Sequence, residues 1–516
     1  MGAGKRGDRT ELRNKREHLR AFWNSRVLEG GVTKLETGVS GFDEMLEGGL
    51  PEGRTTLVSA GPGCGKTVLL AEFIYRGATE LNEPGIFLTF EERPEDIQHN
   101  LANFGWNLKG LADAGQLLFL DATLPEEGET VHGRVDWLAP MLARIRHAAE
   151  SLGARRIAVD NLGAVFLRYE ASADARLARE RLFRFADGIK QLGLTALVST
   201  ERAESAASLS RYGVEEFVSD GLIELDIDSG IGSDVRTMWV RKLRGCGYRS
   251  GKVLFEITHD GLEVYPKIPI DTSIGDTDFT IRERFGIPPL DKALGGGVPQ
   301  GHIMLVAGNT GTGKSTLAMH FVKQGLSDGE SVVWVALEEP VRQVLKTARA
   351  HGWDLEAGME AGRLQFVTAP MLDVIADKLL YQVIDAVIRC GACRVVVDSI
   401  SSLESASMDK EGVREFMMQL AGFAKTLGVT VILNYLSGDT FGANKEQLLG
   451  SLTTNALRLS SIVDGIILLR YVERDQGVHK LLTILKLRGS AHVKDILRYE
   501  INQDGLSLGE RFGVGG

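Results

Sequence analysis

Gly308-Asn-Thr-Gly-Thr-Gly-Lys-Ser315 decides the fold, because it fits the pattern G-x-x-x-x-G-K-[ST] in full. It follows the apolar run Ile303-Met-Leu-Val-Ala-Gly308 and precedes a helical pattern. Between a strand and a helix, such a loop turns backbone N–H groups around phosphate oxygens. Its lysine reaches the β- and γ-phosphates and its hydroxyl binds Mg²⁺. Gly308, Thr310, Gly311, Thr312, Gly313, Lys314 and Ser315 are therefore candidate ATP contacts. A second copy, Ala60-Gly-Pro-Gly-Cys-Gly-Lys-Thr67, has alanine where the leading glycine would be and keeps Gly61, Gly63, Gly65, Lys66 and Thr67. One match could arise by chance. Two at equivalent places imply two nucleoside triphosphate sites.

Outward from these loops the chain is written twice. Gly41–Thr67 matches the stretch that ends at Ser315, with Lys66 and Lys314 248 positions apart, as are Phe42 and Leu290. Glu91 and Glu338 are 247 apart, Asp160 and Asp398 238, and Arg244 and Arg488 244. Four blocks in one order, with small drifts in spacing, mean a duplicated domain of roughly 240 residues, long enough to own a complete core. Short β-branched runs (TTLVSA, GIFLTF, RIAVD, TALVST; then IMLVAG, VVWVAL, RVVVD, TVILNY) alternate with longer helical patterns such as ADARLARERLFRFADGIKQLG. Continuous apolar strands indicate a parallel sheet covered on both faces. The expected fold is α/β: two tandem doubly wound domains, each a mainly parallel sheet flanked by helices. Their expected spans are 32–266 and 281–508, with a basic arm at 1–31, a linker at 267–280 rich in Pro, Asp and Thr, and a short tail at 509–516.

Composition narrows the class. Across 516 residues, 59 Lys and Arg stand against 69 Asp and Glu, net −10, with 43% hydrophobic and 25% charged residues. Those are ordinary globular values, which exclude bulk disorder. No apolar run reaches the ~18 residues of a membrane span, and the polar start lacks the apolar core of a secretory signal. Four cysteines make no disulfide framework, so a cytoplasmic protein is expected. The acidic balance argues against a surface built to coat nucleic acid.

The chemistry-bearing residues fall at strand ends. Asp160 and Asp398 close short apolar strands, where an aspartate can complete the Mg²⁺ shell opposite Thr67 and Ser315; the bland alternative is a turn aspartate. Glu91-Glu92 and Glu338-Glu339 also close strands, and ligands of an open parallel sheet sit at that carboxyl edge. A carboxylate there can take a proton from an attacking water or hydroxyl. Adjacent side chains diverge, so one of each pair suffices; the first is favoured, against the alternative of a solvated acidic loop. Lys242 and Arg244, like Lys486 and Arg488, are two apart on an expected strand, which puts both cations on one face. Nothing aims that face at its own loop, so a neighbouring subunit's nucleotide is the natural target; a basic sheet edge is the alternative. Cys390-Gly-Ala-Cys393 has redox spacing but precedes a buried strand, and is read as core packing; Cys64 is a variable loop position.

From about Val32 to Leu508 these blocks resemble the KaiC family, double-domain clock ATPases and autokinases of the RecA/DnaB-like superfamily. The resemblance rests on the phosphate loops, the paired glutamates, RYGVEEFVSDG (Arg211–Gly221), KLRG in each half and DGIILLRYVE. It implies two RecA-like domains in a homo-hexamer of stacked rings, with ATP and Mg²⁺ at subunit interfaces. It further implies ATP hydrolysis in the first half and, in the second, phosphorylation of two adjacent hydroxyls by a neighbour's ATP. The glutamates then correspond to catalytic bases, the KLRG cations to contacts made in trans, and a KaiB-like protein to a regulatory partner.

The repeat adds its own argument. Aligning Asp220-Gly221 with Asp464-Gly465 sets Ser460 over Glu216 and Ser461 over Phe217, so only the second half has hydroxyls there. Ser460 and Ser461 are the candidate phosphoacceptors, ordinary turn serines being the alternative. The family's acceptors are Ser followed by Thr, and its upstream Thr is Asn455 here, which removes a relay through that position. Only GERFGVGG follows the last apolar block, so a KaiA-type activator is not expected to dock. Residues 1–31 carry eight Lys/Arg and four Asp/Glu, with Leu12, Leu19, Trp23 and Val27 at roughly helical spacing, which suits a frayed arm or a docking segment. Two other functions share this core: a RecA/DnaB-like DNA-dependent motor, and a non-catalytic hub assembled by ATP. Nucleic acid and membrane are not expected partners.

Overall fold

A computed structural model describes residues 32–122, 130–131, 134–135, 138–163, 175–202, 219–229, 234–267, 280–369, 374–406, 410–437, 461–474 and 477–512. The arm at 1–31, most of the 267–280 linker, most of RYGVEEFVSDG, Asn455 and Ser460 lie outside these residues. The chain divides between Lys267 and Ile268 into two compact units.

Among the described residues the main sheet of the first unit has nine strands: β1 (Thr55–Ala60), β2 (Gly85–Thr89), β3 (Leu117–Asp121), β4 (Arg156–Asp160), β5 (Thr195–Glu201), β6 (Gly221–Ser229), β7 (Asp234–Leu243), β8 (Lys252–Thr258) and β9 (Gly261–Tyr265). Their order in the sheet is β9-β8-β7-β6-β1-β5-β4-β2-β3. From β3 to β6 every pairing is parallel, and β7, β8 and β9 continue as an antiparallel meander. The second unit repeats this with β10 (Ile303–Gly308), β11 (Val332–Ala336), β12 (Leu364–Thr368), β13 (Arg394–Asp398), β14 (Thr430–Leu436), β15 (Gly465–Arg474), β16 (Gly477–Leu487), β17 (Leu497–Asn502) and β18 (Gly505–Arg511). The order is again the same, β12-β11-β13-β14-β10-β15-β16-β17-β18. The sheet therefore runs to Arg511, beyond the boundary at 508 expected from the sequence, because β18 pairs with β17 as far as Leu497↔Arg511.

Helices cover the sheets: α1 (Lys66–Glu80), α2 (Pro94–Leu101), α3 (Leu138–Leu152) and α4 (Ala175–Gln191) in the first unit, and α5 (Lys314–Ser327), α6 (Val341–Ala350), α7 (Ala376–Cys390) and α8 (Lys410–Leu427) in the second. The central strands are buried on both faces, which is why apolar and β-branched residues dominate their runs. On β1, Leu57 joins one core with α3 and α4, while Val58 and Ala60 join another with α1 and α2. Among the described residues no helix is long and apolar enough to cross a membrane.

Two buried arginines tie the layers together. Arg156, fully buried at the start of β4, donates to the Phe73 carbonyl at 3.0 Å and pairs with Glu83. Its equivalent Arg394 binds Glu330 at 2.6 Å and Glu283 at 2.7 Å and lies over the Phe321 ring. The terminal hairpins are anchored to the phosphate-loop helices. Glu72 on α1 accepts from Leu262 N–H at 2.7 Å, and His320, 248 positions later on α5, accepts from Leu506 N–H at 2.9 Å.

Candidate functional site

Both loops close a buried strand and open a helix, so their N–H groups lie at the positive end of α1 or α5. Gly63 and Gly65 have φ of 72° and 95°, Gly311 and Gly313 of 77° and 96°, a left-handed backbone that glycine alone adopts cheaply. A Cβ at the second of each pair would also meet an isoleucine tip: one on Gly65 would lie 2.7 Å from Ile257 Cδ1, and one on Gly313 would press on Ile501 Cδ1, so either isoleucine would have to shift. Lys66 folds back over its loop, donating to the Ala60 and Gly61 carbonyls at 3.1 and 3.0 Å; Lys314 does the same to Gly308 and Asn309 at 2.9 and 3.0 Å. Burial holds the Lys314 amine below its ordinary range, against the nearby charges of Glu338 and Asp398.

The loop hydroxyls meet the strand-ending aspartates. Thr67 Oγ1 donates to Asp160 Oδ2 at 2.7 Å, and Ser315 hydrogen-bonds Asp398. Each aspartate has a further partner one strand away: Ser199 Oγ donates to Asp160 Oδ1 at 2.5 Å, and Asn434 Nδ2 to Asp398 Oδ1 at 2.9 Å. Burial pushes Asp398 above the usual carboxylate range despite these bonds. A Mg²⁺ ion fits these donor sets: each pairs a hydroxyl with a carboxylate, the hard oxygen ligands Mg²⁺ takes. Buried Thr200 Oγ1, near the end of β5, and Asn434 Oδ1 have no hydrogen-bond partner among the described residues, which leaves polar capacity there for water of a hydrated cation. Among the described residues no group of three or more His, Cys, Asp or Glu forms a protein-only metal cage.

The glutamate pairs sit beside the aspartates because the backbone ties them there. Phe90 N–H donates to the Asp160 carbonyl at 2.7 Å, and Leu337 and Glu338 N–H to that of Asp398 at 2.8 and 3.1 Å. Glu91 accepts from Asn161 at 3.2 Å, and its carboxyl is raised by burial and by the charges of Asp160 and Glu201. Glu92 accepts from Asn100 on α2 at 3.3 Å. In the second unit Glu338 is exposed and Glu339 half-buried. The Glu339 carboxyl is raised by burial and then by Asp398 and Glu338. The sequence favours the first glutamate of each pair; Glu91 and Glu339 are the ones whose carboxyls are raised, although Glu91 is exposed at the surface and only Glu339 is half-buried. Glu201, Asn161, Ser199 and Asn434 escaped the sequence reading. Position at a strand's carboxyl end was the available signal, although Glu201 aligns with Leu436 and Ser199 with Asn434, so the repeat does not single them out.

The KLRG cations are placed differently from expectation. β7 and β16 end at Leu243 and Leu487, so Arg244 and Arg488 stand in the turns that follow, before Gly245 and Gly489 at φ of 70° and 63°. Lys242 donates to the Ser219 carbonyl at 2.6 Å and Arg244 lies 4.0 Å from Asp220. Lys486 donates to the Val463 carbonyl at 2.8 Å, while Arg488 binds buried Asp464 at 3.4 Å and the Ser461 carbonyl at 3.0 Å. Both pairs thus brace the segment entering the strand next to the phosphate loop. Ser461 is exposed. Cys390 ends α7 and Cys393 precedes β13, both half-buried, and Cys64 is buried in its loop.

The family model for the KaiC ATPase matches residues 35–268 and 284–511. The chain is 36% identical over 482 residues to the circadian clock oscillator protein KaiC of Parathermosynechococcus lividus, covering 93% of this chain and 86% of that protein. It is 35% identical over 483 residues to the circadian clock oscillator protein KaiC of Synechococcus elongatus, covering 93% and 90%. Circadian clock oscillator protein KaiC 1 of Synechocystis sp. is 34% identical over 482 residues, with the same coverage of each chain. With matching loops, matching sheets and a match through both halves, the chain belongs to the KaiC family of ATPases.

Proposed function

We propose that the first unit hydrolyses ATP and that the second transfers the γ-phosphoryl group of ATP to Ser460 or Ser461 of an adjacent subunit, in a cytoplasmic homo-hexamer acting as a phosphorylation switch of a clock or related signalling system. The observation that carries this reading is the doubled arrangement of loop lysine, loop hydroxyl, strand-end aspartate and carboxylate pair, taken together with the sequence positions 460 and 461, which hold serines where the first half has Glu216 and Phe217. In the first unit Glu91 takes a proton from water as the water oxygen bonds to the γ-phosphorus and ADP leaves. In the second, Glu338 or Glu339 takes the proton of the serine hydroxyl, whose oxygen forms the new P–O bond as the bond to ADP breaks. The raised carboxyls of Glu91 and Glu339 support that role, since a carboxylate partly desolvated and flanked by other negative charge is the stronger base. Lys66 and Lys314 orient the phosphates, and Thr67 with Asp160, and Ser315 with Asp398, would hold Mg²⁺. When bound, that ion neutralises phosphate charge. Lys242, Arg244, Lys486 and Arg488 contact the neighbouring subunit's nucleotide, and a KaiB-like protein reads the phosphorylated ring.

The test is incubation of the full chain with Mg-ATP, followed by phosphopeptide mapping and ADP measurement. Phosphate is expected on Ser460 or Ser461, with the joint change Glu338→Gln and Glu339→Gln lowering its rate on the order of 10²–10⁴-fold. Glu91→Gln is expected to reduce ADP release with phosphorylation retained. Steady ATP turnover with neither serine modified would remove the kinase assignment.

A further inference from the structure

His302 stands one residue before β10 and is 3% exposed. Its Nε2 lies 3.2 Å from the Arg488 carbonyl oxygen, and since a carbonyl only accepts, the proton of that bond is the ring's. Arg54, 248 positions earlier and one residue before β1, donates its Nη1–H to the Arg244 carbonyl at 2.8 Å. Both halves therefore tether the main chain of the KLRG arginine, one through a permanent cation and the other through a titratable ring. In the second half that arginine holds more. Arg488 N–H donates to the Asp464 carbonyl at 2.8 Å, and its guanidinium reaches Asp464 Oδ1 at 3.4 Å and the Ser461 carbonyl at 3.0 Å. Lys425 on α8 pairs with the same buried carboxylate at 3.2 Å, and the N–H of Ile303, next to His302, donates to its other oxygen at 3.2 Å. His302, Arg488 and Asp464 thus join the start of β10 to the segment that carries Ser461. In the first half Arg244 lies 4.0 Å from Asp220, and the position of Ser461 is taken by Phe217.

The surroundings of the ring decide how many protons it carries. Burial lowers its proton affinity, Asp464 and the carbonyls of Arg488 and Gln300 oppose that, and Lys425 adds to the lowering, so the ring is neutral at neutral pH. A neutral imidazole has one N–H for those two carbonyls; the imidazolium has one for each. Protonation therefore firms the hold on Arg488, and through Arg488 the hold on the Ser461 backbone. Transfer to a hydroxyl depends steeply on where that hydroxyl is held. Resting on the reading of Ser460 and Ser461 as phosphoacceptors, we propose that His302 is a positioning residue for second-unit phosphoryl transfer, which fixes Arg488 and with it the acceptor segment, and which holds more firmly in acid.

The test incubates the full chain with Mg-ATP and follows phosphate on Ser460 and Ser461 at several ATP concentrations. His302→Leu removes the donor; kcat for transfer is expected to fall about 3- to 10-fold, with the KM for ATP within about twofold. His302→Gln keeps one uncharged donor and is expected to recover most of that loss. The native rate divided by the His302→Gln rate should climb as pH falls from about 7.5 to about 5.5, because every other titrating group is common to the two chains and cancels. An unchanged kcat in the Leu variant overturns the positioning role, as does a loss confined to KM or one that Gln fails to recover. A ratio that stays flat with pH overturns the part given to the proton. Should the Leu variant not fold, the comparison of native and Gln chains decides alone. No phosphate on either serine of the native chain would overturn the acceptor reading itself, whereas phosphorylation indifferent to position 302 would leave that reading standing and end this one.

Discussion

Glu72 and His320 show how one position in a repeat can do one job with opposite chemistry. Each accepts a hydrogen bond from the terminal hairpin, and each has lost its water. Burial pushes the Glu72 carboxyl up to about 7, with Arg76 opposing and Glu80 adding to the rise. Between pH about 4.5 and 7 the unfolded chain has therefore released a proton that the folded unit keeps, so stability is full at the acidic end and falls as pH rises. By the usual ~1.4 kcal/mol per unit, Glu72 accounts for about 3 kcal/mol of that fall. His320 runs the other way. Burial, Lys323 and His351 lower it to about 4, so the folded unit stays neutral while the unfolded chain protonates, and stability is lost as pH falls below about 6.5. Glu72→Gln and His320→Gln should each flatten the respective slope in urea unfolding measured from pH 4 to 8. Slopes unchanged by these substitutions would mean other groups carry the pH dependence. Neither residue stood out in the sequence, because a Glu and a His inside amphipathic helices look like any other polar position until the partner strand, about 190 residues away, comes to rest on them.

At the scale of elements, the parallel strands were legible and their companions less so. TTLVSA, RIAVD, IMLVAG and RVVVD coincide with β1, β4, β10 and β13 residue for residue, because double burial demands uninterrupted apolar runs. The meander strands have one face partly open, and the pattern of Asp234–Leu243 alternates imperfectly across a register shift between Leu222 and Ile223 of its partner. That shift, and the turns at Gly245 and Gly489, explain why the KLRG arginines fall just past their strands. The buried arginines belong to this scale too. Arg394 fastens β13 to Glu283 and Glu330, both nearly inaccessible to water, so Arg394→Met takes a buried cation away from two desolvated carboxylates. The expected cost is about 3–5 kcal/mol to the second unit, read as a lower denaturant midpoint. Replacing all three residues by apolar ones of similar volume should recover most of it; no recovery would show that the ion pairs carry stability of their own.

For the molecule as a whole, duplication made the fold legible and bounded the site. Each half repeats its sheet order strand for strand, so residues 32–267 and 280–512 expressed separately should each unfold in one cooperative step and each be stabilised by Mg-ATP. Non-cooperative melting of either half would show that it depends on the other for its core. The loops, aspartates and glutamates could be located by comparing one half with the other. Where the halves diverge, as at His302 against Arg54, comparison alone could not say whether the change mattered; that took the position of a carbonyl oxygen.

Ile257 and Ile501, which occupy the space over Gly65 and Gly313, come from the closing hairpin of each half, almost 200 residues after the glycine they cover. During synthesis each loop therefore leaves the ribosome long before its lid residue exists. The first pocket can be finished before translation reaches Gly308, while the second waits until Ile501 has been made. A nascent chain stalled between Gly313 and Ile501 would carry the first loop with its covering side chain and the second loop without one, so truncation in that interval would spare the first half and leave the second loop uncovered.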